Sequence, residues 1–267
     1  MRGRFSRVKW GFVVLSLVSG MGGMACAPAE DEESYTTECS LPTDQRQTLT
    51  GRWSSSPIYI SFRDGNFNTY EMNLIMDGAD AWNRFYGATS GFQIIDYGTR
   101  AYPRTTARDK PISLCSNSLV NGSGQFTGSI TIYKQTTWPA TYSSGAIAIT
   151  STCGTTSNPI DKMYIGIMEL NFQNFFASGK PMPDLTSIFT HEFGHLLGLD
   201  HSCAQAYDAT SKTHPPLCSS ANLNADYYTA VMYPVVNFNA DGSGVKRRSI
   251  ASNDQGRANC LYGNSRM

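Results

Sequence analysis

His191, Glu192 and His195 fall within Asp184-Leu185-Thr186-Ser187-Ile188-Phe189-Thr190-His191-Glu192-Phe193-Gly194-His195-Leu196-Leu197-Gly198-Leu199-Asp200-His201. Histidines four positions apart share one face of a helix, about 5–6 Å apart at Cβ. Two imidazoles at that separation can meet on one metal ion at Zn–N distances of ~2.0–2.1 Å. Gly198 stands where the helix should end, and glycine tolerates the left-handed backbone that would swing His201 round as third ligand. Three protein ligands leave a tetrahedral zinc with one open position for water, which is a catalytic count. Glu192 is then the general base for that water. A chance H-E-x-x-H has a probability on the order of 10⁻³ in this composition, and requiring Gly198 and His201 lowers it roughly a thousandfold.

These residues need a rigid frame. Pro183 and Asp184 carry helix-start signals. Leu185, Ile188, Phe189, Phe193, Leu196 and Leu197 surround much of the helix, so it should be buried, and its His and Glu side chains must find partners. Upstream, Pro57 to Phe62 reads as a strand with a turn at Asp64-Gly65. Ile75, Ala79, Trp82 and Tyr86 mark one face of a helix over 73–86, stopped by Gly87. Gly91 to Tyr97, Ser129 to Tyr133, Ala146 to Thr150 and Met163 to Leu170 read as further strands, with a long loop over 98–128. Strands with one helix between them and another late in the chain indicate a mixed α/β layer structure.

His191 to His201, HEFGHLLGLDH, resembles the extended zinc motif of the metzincin metalloproteases, matrixin type. Val231-Met232-Tyr233-Pro234 resembles the family's methionine turn, and Ser202 is the matrixin choice after the third histidine. Trp53 to Tyr97 and Ser252 to Gly263 resemble the start and the closing helix of such a domain, so the likeness covers about residues 51–263. It implies an α+β, zincin-like fold with a twisted five-stranded mixed sheet, an active-site helix and a smaller C-terminal subdomain, divided as 51–198 and 199–267. It also implies a zinc-dependent endopeptidase with one catalytic Zn2+ on His191, His195 and His201, Glu192 as general base, and Met232 packed beneath the imidazoles. A protein or peptide substrate would lie extended along the strand from Ala146. The side chain after the scissile bond would meet His191, Tyr233, Pro234 to Val236 and the loop toward Ser249. Ca2+ is common in the family, and Asp161, Asp184 and Asp226 are candidates that sequence does not place. The chain departs from the family in having four histidines, which leaves only His214 for a second zinc. Cys39 lacks the motif of a cysteine switch. The competing class is a lipid-anchored binding or adhesion protein that keeps the zinc site without useful turnover.

Arg2, Arg4, Arg7 and Lys9, then apolar Trp10 to Val18, then small residues, have the order of an export signal over 1–25. Gly23-Met24-Ala25-Cys26 resembles a lipobox, so Cys26 is a candidate for lipidation, with ordinary cleavage and secretion as the alternative. Residues 26–50 read as an acidic tether. The 267 residues carry 21 basic and 21 acidic side chains, which argues against a nucleic-acid partner. Removing the four signal charges leaves 17 basic residues against 21 acidic. With Cys26 set aside, six cysteines suit disulfides in an oxidising, extracytoplasmic compartment and allow 15 pairings. Cys203–Cys218, Cys39–Cys260 and, by elimination, Cys115–Cys153 are the favoured set. Asp241-Gly242 reads as a surface turn rather than a calcium loop, and Lys246-Arg247-Arg248 as a solvated loop. A monomer is expected.

Overall fold

The computed structural model describes residues 5–10, 14–15, 34–53, 56–111, 114, 130–155, 160–206 and 215–263. In chain order the strands are β1 (Phe5–Trp10), β2 (Val14–Leu15), β3 (Arg52–Trp53), β4 (Ile58–Arg63), β5 (Ile95–Asp96), β6 (Thr105–Thr106), β7 (Ile130–Gln135), β8 (Ala148–Thr155), β9 (Lys162–Asn171) and β10 (Val235–Val236). The helices are α1 (Thr69–Ser90), α2 (Leu185–Leu197), the single turn α3 (Ala225–Tyr228) and α4 (Ser252–Tyr262).

The result is a mixed α/β structure. One sheet runs β1-β8-β9-β7-β4-β5, with β3 added against β9 and β6 against β4. Its centre is parallel, through β4–β5, β4–β7 and β7–β9. Antiparallel pairing is confined to the β8 edge, against β9 and β1. Among the described residues the expected five-stranded mixed sheet is thus corrected to eight strands with a parallel core. Two-residue strands such as β3 and β6 are too short to leave a periodic trace in sequence.

Asn68 caps α1, accepting from the Glu71 N–H while the Glu71 carboxylate accepts from the Asn68 N–H, which satisfies two end donors reciprocally. The helix does not stop at Gly87. A helical glycine costs only about 1 kcal/mol relative to alanine, and the chain turns at Gly91, where φ is 74°. The expected strand from Gly91 shrinks accordingly to β5. The buried face of α1, including Ile75, Ala79 and Trp82, lies in the core with Phe189, Phe193 and Leu196 of α2. Gly78 permits this approach, since a Cβ there would sit 2.8 Å from the Thr190 backbone nitrogen. The Trp82 indole donates to the Thr190 carbonyl at 2.8 Å.

Residues 34–50 are not a solvated tether. They form a strap along α4 that contains a 3₁₀ turn over Thr43–Thr48. Cys39 is bonded to Cys260, and Ser40 N–H donates to the Gly256 carbonyl. The strap was hard to see because it is held mainly by polar groups, Gln45 and Thr48 being fully buried. Cys203–Cys218 is also formed. Cys153 is disulfide-bonded, and its expected partner Cys115 lies outside the described residues, as do Cys26 and His214. Among the described residues no helix is long and apolar enough to cross a membrane. Disulfides fit an extracellular setting.

Candidate metal centre

Asp184 opens α2 by accepting from Ser187 N–H at 2.9 Å. Gly198 closes it with φ of 100° and donates to the Gly194 and His195 carbonyls. A side chain at Gly198 would also collide with the Gly51 carbonyl, at 1.9 Å from its Cβ. The tight reversal carries His201 back toward the helix. His191 Nε2 and His195 Nε2 are 3.0 Å apart, and His195 Nε2 and His201 Nε2 are 3.2 Å apart.

Those gaps are close to the roughly 3.3 Å that separates two nitrogens on a tetrahedral ion with ~2.05 Å bonds. The tautomers agree. His191 Nδ1 meets the Val231 carbonyl at 2.7 Å and His195 Nδ1 meets the Leu199 carbonyl at 2.8 Å. A carbonyl can only accept, so each Nδ1 carries the hydrogen and each Nε2 turns a lone pair inward. The three histidines could therefore hold a metal ion. Among the described residues this is the one such gathering of His, Cys, Asp or Glu donors.

Electrostatics favour the same state. Burial, then the neighbouring imidazoles, holds His191 and His201 well below the usual histidine range. Burial also lowers His195, partly opposed by the Asp200 carboxylate. All three are kept neutral, as ligands must be. Burial pushes the Glu192 carboxyl up to about 8, against the lowering effect of the Thr150 hydroxyl. Thr150 Oγ1 donates to Glu192 Oε2, while buried Oε1 has no hydrogen-bond partner among the described residues. An orphaned carboxyl oxygen on the residue next to His191 fits a site built to receive a polar ligand.

Met232 is fully buried. Gly194 makes room for it, since a Cβ there would stand 2.2 Å from Met232 Sδ. Asp254 of α4 accepts from the N–H groups of Val231 at 2.6 Å and Met232 at 3.2 Å. Arg257, fully buried one turn later, donates to Asp254 at 3.3 Å and to the Asp200 carbonyl at 2.8 Å. Burial pushes Asp254 up and Arg257 down from their ordinary values, and each partly restores the other. The strap completes the frame: Asp200 N–H donates to the Thr48 carbonyl, and Gln45 donates to the Ser202 carbonyl.

A cavity of about 20 Å³ opens beside the first imidazole. His191, Ile188, Val231, Tyr233, Val236 and Arg247 are among its walls. Pro234 is buried and does not line it. Ala146 is also buried, its carbonyl accepting from Asn171 at 2.9 Å, and it too lies away from the cavity lining. On the sheet edge β1 covers Ser151 to Thr155, so Ala148 to Thr150 have a single strand neighbour among the described residues.

Lys246-Arg247-Arg248 is not simply solvated, because Arg247 turns into the cavity wall and Arg248 pairs with Asp184. That pairing and the Ser187 bonds occupy Asp184, a candidate calcium ligand. Asp241 holds a surface turn, accepting from Ser243 N–H at 2.8 Å. Thr150, Arg247, Asp254, Arg257 and Gln45 escaped sequence reasoning, since none stands in a recognisable spacing. The one signal was the uneconomical burial of a Glu, which required a donor such as Thr150. No family model matches the chain, and a search of curated proteins finds no match.

Proposed function

We propose that the protein is a zinc-dependent endopeptidase of the matrixin-like metzincin kind that works outside the cytoplasm. The observation that carries this is the convergence of the Nε2 atoms of His191, His195 and His201, with the residue after His191 a buried Glu192 whose Oε1 has no partner among the described residues. Three neutral imidazoles suit zinc. Zinc would supply Lewis acidity, polarising the peptide carbonyl, lowering the pKa of the attacking water and drawing Glu192 to its carboxylate form.

The chain's own groups do the rest. Thr150 holds Glu192 Oε2, leaving Oε1 to accept a proton from the water as it adds to the carbonyl carbon. Glu192 then delivers that proton to the departing amide nitrogen as the C–N bond breaks. The Val231 and Leu199 carbonyls keep the imidazoles from turning. The singly paired stretch Ala148 to Thr150 offers an extended peptide a strand to join.

An export signal read over 1–25 supports the location, although the structure pairs Phe5–Trp10 with β8; its cleavage would free that edge as well, and lipidation at Cys26 is the proposed anchor. Intact-mass measurement of the mature N-terminus tests the anchor. Casein digestion with and without a chelator, restored by added zinc, tests the activity. Undiminished digestion after stoichiometric metal removal, or a folded zinc-loaded protein that cuts nothing, overturns the assignment and leaves the binding-protein class.

A further inference from the structure

We propose that Arg247 makes the cavity beside His191 select a side chain with a hydrogen-bond-accepting oxygen, aspartate first, after the scissile bond. The proposal rests on the endopeptidase assignment and narrows its substrate class. Position is the first ground. Arg247 stands with His191, Ile188 and Val231 in the lining of the cavity, so a side chain that enters beside the imidazole meets it.

Charge is the second ground. Arg247 Nη1 donates to two neutral acceptors, the Tyr233 carbonyl at 3.2 Å and the Val235 carbonyl at 3.4 Å. Its guanidinium lies 5.2 Å from the Tyr233 ring centre, and its backbone N–H donates to Ser187 Oγ at 2.7 Å. Among the described residues no carboxylate pairs with it. Asp184, the carboxylate in the same lining, is taken by Arg248 and Ser187. Asp254 faces Arg247 only through space and is bonded to Arg257. Burial lowers the pKa of Arg247, the mark of a cation with reduced solvation. A poorly solvated guanidinium without a counter-ion gains more from an entering carboxylate than an exposed one would.

The test is a peptide-library digestion by zinc-loaded parent, Arg247→Leu and Arg247→Lys, each shown folded by its melting curve. The parent should cut before aspartate at least about tenfold more efficiently than before leucine. Arg247→Leu should lose that preference, and Arg247→Lys should keep most of it. A parent that prefers leucine or phenylalanine, or a preference that Arg247→Leu leaves unchanged, overturns the proposal while the endopeptidase assignment stands. If the parent cuts nothing, binding of paired decapeptides differing only in aspartate or leucine decides. Tighter binding of the aspartate peptide that depends on Arg247 upholds the cavity's selectivity without the hydrolase, and equal binding overturns both.

Discussion

The Gln45 side-chain amide donates to the Ser202 carbonyl at 2.7 Å, joining residues 157 positions apart. Asn253 of α4 donates in turn to Gln45 Oε1 at 2.7 Å. One buried amide thus ties the strap, the closing helix and the segment just past the third imidazole. Gln45→Leu strands a buried carbonyl and a buried amide, at a cost of about 1–3 kcal/mol each. Thermal melting should fall, and competitive chelator titration should show weaker metal binding. Unchanged metal affinity in a destabilised variant would confine Gln45 to holding the fold.

Glu192→Gln keeps the shape of the side chain and removes the proton acceptor. It should retain stoichiometric zinc and lose at least ~10² in digestion rate. Metal analysis beside a casein assay checks both halves. For the parent, zinc at 100 times its dissociation constant should stabilise the fold by about 2.7 kcal/mol, read as a chelator-reversible rise in Tm.

Gly194→Ala places a methyl group on Met232 Sδ. Overpacking of this kind typically costs about 1–3 kcal/mol, and here the buried thioether must move. The variant should melt earlier and digest more slowly. Full activity at parental stability would show that the turn yields without cost.

Asp184 governs an acid limb of stability. Burial raises its pKa, but the Arg248 and Ser187 hydrogen bonds outweigh burial and leave it below the usual carboxylate value. A carboxylate depressed in the folded state contributes stability that is present above the unfolded pKa of ~3.9 and is lost as pH falls through the lower folded value. Asp184→Asn keeps a cap acceptor and removes the charge. It should lower stability near neutrality by about 1 kcal/mol, with Arg248 partly solvated, and flatten the acid limb in denaturation curves collected from pH 2 to 6. An unaltered limb would assign it to other carboxylates.

The candidate metal ligands were legible because a shared ion would demand their identities: His191, His195 and His201 stand at the spacing such a site needs. The centres of β4, β7, β8 and β9 were legible for a different reason, since buried strands leave apolar runs. What escaped notice was buried polarity. Helix α4 encloses Asn253, Asp254, Gln255, Arg257 and Asn259 among its buried residues, a pattern that reads as a surface helix until the strap is laid across it. Arg247 reads as one cation in a basic run, and nothing local indicates that it turns toward Tyr233 while its neighbour Arg248 turns toward Asp184. The end of α1 shows the limit of local signals. Gly87 and Gly91 are the same residue type, and only at Gly91 does the backbone take the left-handed turn.

The bonds from Asp254 to Val231 and Met232 have a consequence for biosynthesis. The ribosome makes all three imidazoles before it makes the helix that steadies the floor beneath them, so a nascent chain carries ligands without their seat. A chain ended before Ser252 should therefore bind zinc loosely and digest nothing, which equilibrium dialysis and a casein assay can check. On that account the seat for the three imidazoles is complete only once Asp254 has been made.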